Sequence, residues 1–405
     1  MNFPGKGKVA VLRTHPETVL EDYARLMHLA EYEKALPKDK ETLLKINISW
    51  QTWYPACSTA PWQLEGVIKT LQDDGYENLI AAHNRTVVVD AYVGERNNKH
   101  KPIVERYGVR NVHLYEPQVE WVRYEPRAPM LVLDRIYPEG IRIPKMFIGR
   151  NIIQLPTVKT HVFTTITGAM KNAFGGLLSE KRHWTHSVIH ETVVDLLTIQ
   201  REIHTGLFAV MDGTFAGDGP GPRAMRWHEK DVILASADQV AIDAISAKLQ
   251  GFDPLSLTFI RLAHEMGLGV GDPREIEVVG DVDVLEENWG FVQEDTFASR
   301  GQKMIYHGPL KPFEHLLLRT PLVPWSYIAS RAYHDVYWYP FVGRKRVEAA
   351  LQTKWGRLFQ DYEAGEPVES AGAYRAGIAA SLVGVAALAA ILWTRVRRGQ
   401  GAAEK

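Results

Sequence analysis

Residues 151–176 read NIIQLPTVKTHVFTTITGAMKNAFGG, and no other stretch limits the fold class as much. Asn151–Leu155 is a short apolar run bounded by a turn signal, the pattern of a buried strand. Pro156 ends it, because proline cannot donate to a sheet ladder. A polar loop with Lys159, Thr160 and His161 is expected next. A helix bearing Lys171 and Asn172 then stops at Gly175–Gly176. Two lysines, a histidine and a carboxamide thus gather just past a strand end.

The same alternation recurs along the chain. Strands are expected at Lys8–Arg13, Thr42–Trp50, Asn78–Ala82, Leu207–Met211, Val232–Ala235 and Glu275–Val279. Helical spacing marks Pro16–Leu36, the stretch opened by Ser58 or Thr59 as cap, Ser187–Ile203, Asp238–Leu249 behind Ser236, and Ser256–Met266. Strand–helix alternation predicts an α/β fold, a mostly parallel sheet with crossover helices, over residues 1–288. Residues 84–150 carry a helix near Lys101–Tyr107, a strand at Asn111–Tyr115, extended pieces at Met130–Asp134 and Ile141–Pro144, and several prolines. They read as an insertion or small β subdomain.

Beyond residue 288 the character changes. Residues 289–360 are aromatic and basic, either a covering segment or an interfacial belt with Trp325, Tyr337, Trp338, Tyr339 and Phe341 at headgroup depth and Arg344, Lys345 and Arg346 facing anionic lipid. Residues 361–374 form an acidic linker. Ala376–Thr394 is a 19-residue uncharged run between Arg375 and Arg395, enough for a single hydrophobic helix (375–398) that crosses or anchors to a membrane. A buried Ala-rich helix is the alternative. The N-terminus lacks a signal-peptide core, so the expected location is membrane-anchored with the main domain in the cytoplasm. Net charge is −1 over 405 residues, which offers no global basic field for nucleic acid. One cysteine, Cys57, rules out an iron–sulfur cluster held by this chain alone.

Open parallel sheets bind ligands beyond the carboxyl ends of their strands. That rule collects Lys45, Asn47, Ser49, His83, Lys159, His161 and Asp212. The glycine-rich GDGPGP loop (217–222) could present N–H groups to an anion or be a tight turn. Beside Lys159, Lys171 and Arg223 it suggests a small anionic ligand. His183, His186 and His190 are spaced i, i+3, i+7. With His161 they offer a divalent-metal set, or general acid–base groups. Asp243 falls on an apolar helix and needs a buried partner such as Lys171. Cys57 reads as an activated thiol or as a packing residue.

The segment LPTVKTHVFTTITGAMKNAFGG resembles the hallmark of a bacterial and archaeal family, domain of unknown function 362, with its K-x-H strand exit and T-G-x-x-K-N-x-[FL]-G helix. Lys45-Ile46-Asn47 is similar to that family's K-x-N, MDGTFAGDGPGPR to its D-G … G-x-G-P segment, and SADQVAIDAISAKLQGFDP to its D-x-V-A-x-D-A helix. The resemblance covers roughly residues 8–282. It implies one α/β domain with a pocket of Lys45, Asn47, Lys159, His161, Lys171, Asn172, Asp212, Gly219 and Pro220, and no assigned reaction. Many members are labelled iron–sulfur proteins. This chain lacks those cysteines, so a redox role would need a partner protein.

The resulting expectation is an enzyme acting on a small anionic substrate at the membrane surface. Lys159 and Lys171 hold the anion, His161 transfers protons, and Asp212 orients the histidine or binds a cation. The alternatives are a non-catalytic binding or scaffold protein, and a metal- or cofactor-maturation protein.

Overall fold

A computed structural model describes residues 2–84, 89–318, 320 and 324–365. Twelve strands run in chain order as β1 (Lys8–Arg13), β2 (Thr42–Ile46), β3 (Leu79–His83), β4 (Arg110–His113), β5 (Trp121–Tyr124), β6 (Ile141–Pro144), β7 (Asn151–Leu155), β8 (Thr157–His161), β9 (Thr165–Ile166), β10 (Gly206–Asp218), β11 (Arg226–Ser236) and β12 (Glu277–Gly280). The main sheet has the order β12-β1-β11-β10-β7-β2-β3-β4, with β8 paired to β10 and β9. Neighbours from β10 to β4 are parallel, as are β1 and β12. Only β11 runs against its neighbours on that path. The mostly parallel α/β sheet expected from the alternation is the fold.

Alternating side chains divide the sheet between two layers. Leu44 and Ile153 pack under helices Val19–Leu29 and Pro61–Asp73, together with Leu26, Leu71 and Phe208. Leu43 and Ile152, one residue away, face the other layer with Val193 and Phe259 from helices Ile189–Ile203 and Thr258–Glu265. Every residue of β2, β3 and β7 is buried. A strand covered on both faces has no polar side, which is why these runs are near-continuously apolar.

Several boundaries depart from the sequence reading. Lys159, Thr160 and His161 lie in strand β8 rather than a loop, because the chain pairs with β10 again directly after Pro156, Thr157 opposite Asp212. The segment TFAGD belongs to β10, which continues through Gly213 to Asp218. Gly213 is needed there, since a Cβ would meet Val232 O at 2.8 Å, and the register with β11 shifts at that point. Met130–Asp134 is not extended. It enters a short helix, Leu133–Ile136. Asp238, not Ser236, caps helix Gln239–Gln250, accepting from Val240 N and Ala241 N. Neither Ser58 nor Thr59 caps helix Pro61–Asp73. Ala60 is its N-cap, and Gln63 Oε1 accepts from Ala60 N at 3.1 Å. Within residues 84–150, β4 joins the main sheet, while β5 and β6 form a separate antiparallel pair.

After Thr296 the chain builds a helical cover. It includes Phe297–Tyr306, Pro324–Arg331, a π-helical stretch Ala332–Gly343, Arg344–Leu351 and Lys354–Asp361. Its inner face is bolted to the core. Trp338, Trp355 and Phe359 are buried in the first layer. Trp50 Nε1 donates to Asp335 Oδ1 at 2.8 Å, and Trp355 Nε1 to Asp231 Oδ1 at 2.6 Å. Arg346, expected to face lipid, donates instead to Met225 O at 2.6 Å. The run Ala376–Thr394, its arginines, and the end of the acidic linker lie outside the described residues. Among the described residues no helix is long and apolar enough to cross a membrane.

Candidate functional site

A cavity of about 760 Å³ opens past the carboxyl ends of β2, β3 and β7, lined there by Lys45, Asn47, Ser49, Asn84 and Pro156. The helix after β9 adds Lys171 and Asn172. The 3₁₀ segment Glu180–Val188 adds Arg182, His183 and His186, and the glycine-rich loop adds Arg223. The far wall is the cover, from Thr296 to Tyr337. Two lysines and two arginines line this space. No aspartate or glutamate does so among the described residues.

Lys45 is almost fully buried, and among the described residues its Nζ reaches only Ile46 O, at 2.5 Å. Gly176 permits that path, since a Cβ there would lie 3.0 Å from Lys45 Cε. The Lys171 side chain makes no hydrogen bond among the described residues. Its Nζ sits 5.6 Å over the Phe174 ring. Neither ammonium has an ion-pair partner among the described residues. Desolvation pulls both down to about 7. Arg182 adds to the effect at Lys45, and Lys159 and Arg182 add to it at Lys171.

Lys171 is aimed by a cap from another element. Asp243, expected to pair with the lysine, accepts from Ala169 N at 2.6 Å and Met170 N at 3.1 Å, satisfying free N–H groups at the start of the Ala169–Asn172 helix. Burial pushes its carboxyl up to about 8. Gly168 makes room for it, because a Cβ would meet Asp243 Oδ1 at 2.2 Å. Asn172 fixes the other side, with Nδ2 donating to Lys45 O and Gln154 Oε1, both at 2.9 Å.

His161 is held in one tautomer. Its Nδ1 accepts from Phe163 N at 3.1 Å and Thr164 N at 3.4 Å. A nitrogen accepting backbone N–H groups carries no proton, so in the neutral ring the proton is on Nε2. Burial, then Lys171 and His186, push its pKa well below the usual histidine range. The ring therefore suits hydrogen-bond donation better than proton transfer at neutral pH. The turn that imposes this places Thr165 at φ +66°, a left-handed conformation costly for a β-branched residue. Thr165→Gly should raise the melting free energy by about 0.5–1 kcal/mol, strain relief exceeding the glycine's extra unfolded entropy. Thermal unfolding of the two proteins checks this.

Other expected site residues lie elsewhere. Lys159 is fully buried and does not line the cavity. Its Nζ donates to Cys57 O at 2.9 Å and Thr157 Oγ1 at 2.6 Å. Asp212 is in mid-strand β10, where it accepts from Tyr23 Oη at 2.7 Å, Trp62 Nε1 at 3.0 Å and Thr214 Oγ1 at 2.8 Å. It neither reaches the cavity nor orients His161. Pro220, Gly221 and Pro222 line the cavity but Gly219 does not. The loop's N–H groups point inward: Gly219 N donates to Val292 O and Gly221 N to Gly219 O, so no anion nest forms. Sequence reasoning missed Arg182, whose signal was the basic run Lys181-Arg182-His183, and the entire aromatic wall.

The histidines do not converge. His186 is boxed by Phe163, Phe174 and Tyr306, with ring centroids at 5.4, 5.6 and 5.9 Å. His190 packs on Phe259 and does not line the cavity. Among the described residues no group of three or more His, Cys, Asp or Glu could hold a metal ion. An iron–sulfur cluster does not fit either. Cys57 is the chain's one cysteine. Its Sγ donates to Pro222 O at 3.1 Å, and burial pushes the thiol up to about 11.

Residues 42–248, just over half of the chain, match the family described as Domain of unknown function (DUF362). The chain belongs to the DUF362 family. The DUF362 span contains every cationic residue of the cavity and ends at Lys248, before the cover begins. The chain is also 22% identical over 183 residues to Thylakoid-associated protein sll1697 of Synechocystis sp., a match covering 42% of this chain and 54% of that protein. It thus spans about half the length of that curated relative. No solved structure matches.

Proposed function

We propose that the DUF362 cavity binds a small, multiply charged anion such as a phosphate ester, and that it is an enzyme's active site. The observation that carries this is the convergence of Lys45, Lys171, Arg182 and Arg223 on a space with no lining carboxylate among the described residues. Two of these cations, the Lys45 and Lys171 ammoniums, have no ion-pair partner among the described residues, and desolvated ammoniums are unfavourable alone and favourable around an anion. In this reading Lys45 and Arg182 hold the charge and His161 donates from Nε2. Lys171, with a pKa near neutrality, moves the proton. Lys159 and Asp212 support the walls. The chain's association with a membrane through Ala376–Thr394 belongs to the same proposal. It is supported by that run's lack of charge and by the name of the thylakoid-associated relative.

The lysines give a pH test. Both have folded-state pKa values of about 7 against an ordinary 10.5. Below pH 7 they are charged in both folded and unfolded protein, so burial opposes folding there in full. Between pH 7 and 10.5 only the unfolded chain keeps the protons, so stability from this source rises with pH. An anion reverses the preference, restoring charge in the folded state. Calorimetric titration of a phosphate ester at pH 8, in two buffers of different ionisation enthalpy, should show uptake of about one to two protons per ligand bound. Affinity should fall as pH rises from 6 to 9. Tight binding with no proton uptake would contradict the lysine assignment.

A further inference from the structure

The cavity's two walls differ in chemistry. The DUF362 side supplies the cations. Among the described residues the cover supplies no lysine or arginine to the lining, and the one ionisable base it supplies there, His334, is held neutral by burial, down to about 3. The cover's large side chains there are mainly aromatic, Phe297, Tyr306, Tyr333 and Tyr337 among them. Tyr306 meets Phe163 edge-on at 5.9 Å, closing an apolar surface above the lysines.

That surface continues out of the cavity. Tyr333 and Tyr337 have ring centroids 6.0 Å apart, and Tyr337 and Phe341 5.9 Å apart. The three lie four residues apart on the π-helical stretch Ala332–Gly343, and a π-helix keeps that spacing near one line. Tyr333 is partly buried in the wall. Tyr337 lines the cavity and is 60% exposed, and Phe341 no longer lines it and is 68% exposed. Phe297 lines the cavity while 87% exposed, which puts it at the mouth. Large apolar groups at a mouth gain nothing from folding and mark a contact surface. The space is also far larger than a phosphate group needs and falls in the range of sites that enclose drug-sized ligands.

We infer that the ligand is an amphipathic anion: a phosphate monoester of a long alkyl or prenyl alcohol. Its headgroup rests among Lys45, Lys171 and Arg182, and its tail leaves along Tyr333, Tyr337 and Phe341. The inference rests on the anion-binding reading of the cavity and names the rest of the molecule bound there. A free amphiphile and a bilayer lipid share this chemistry.

The test is a titration series on the full chain held in phosphatidylcholine nanodiscs, with inorganic phosphate, butyl, hexyl and octyl phosphate, and octanol. Affinity should climb two- to fourfold per methylene, about fourfold being the limit for full burial. Tyr337→Ser and Phe341→Ser should each flatten that climb. Dodecyl phosphate doped into the disc lipid separates the sources. Its binding marks a bilayer ligand, binding of the soluble esters alone marks a free one, and both uphold the inference. Equal affinities for phosphate and octyl phosphate would overturn the tail while leaving the anion site standing. Octanol binding as well as octyl phosphate would overturn the anion site itself. A climb unchanged in the Tyr337→Ser/Phe341→Ser double variant would overturn the route.

Discussion

Lys171→Met should abolish turnover and weaken phosphate-ester binding by about 10- to 100-fold at pH 6.5, the scale of one charge-assisted hydrogen bond lost in a buried site. The ligand-free protein should be unharmed. The Lys171 side chain has no hydrogen bond among the described residues, and removing it removes a desolvated charge. Its melting temperature at pH 6 should therefore match or exceed that of the parent. Lys159→Met should fail differently. It strands Cys57 O in a fully buried setting, while Thr157 Oγ1 keeps only its bond to Ala56 O, so stability should fall by about 1–3 kcal/mol. Paired measurements of ligand affinity and thermal unfolding separate the two lysines. Wild-type binding by Lys171→Met would sink the proposed role.

Gly221→Ala should be the most damaging small substitution in the site, costing about 3 kcal/mol or more. A Cβ at this position would lie 1.9 Å from Thr160 O, and both partners are backbone. Gly221 O also accepts from Val162 N at 3.1 Å, and Thr160 Oγ1 donates to Gly219 O at 2.7 Å. The loop and strand β8 are thus laced together, and any relief of the clash displaces His161. Urea unfolding should show the loss, accompanied by weaker anion binding. Gly175→Ala is the control. Its Cβ would find Lys45 Nζ no closer than 3.7 Å, an ordinary contact, so stability should change little.

The parts of the fold legible in the sequence are those where local pattern and tertiary role agree. Strands β1, β6 and β7 begin and end where the apolar runs do. The sheet's parallel character follows from alternation alone. Legibility fails where a polar residue is inside the sheet for a reason no local pattern carries. Asp212-Gly213 has the composition of a turn, yet Gly213 is small to admit Val232 O, and Asp212 answers to Tyr23 and Trp62 from distant helices. Lys159 has the composition of an exposed binding residue, yet its amine ties the Cys57 carbonyl to the Thr157 hydroxyl inside the core. The partners lie about 100 and 190 residues away in sequence, beyond the reach of periodicity. Lys45, His161, Lys171 and Arg223 could be found because the exits of parallel strands share one end of the sheet. The aromatic wall could not, because nothing in its spacing says which face of the cover turns inward.

The two walls of the cavity come from different stretches of the chain. The cationic one lies wholly within residues 42–248, the part held in common with other DUF362 chains, and the aromatic one begins at Thr296. Under the proposed function, charge recognition and selection for length or shape fall in stretches that do not interleave. The preferred ligand could then change through the C-terminal cover, provided its core-packing residues Trp338, Trp355 and Phe359 are kept. Grafting a different cover onto the same core is a direct route to retuning it.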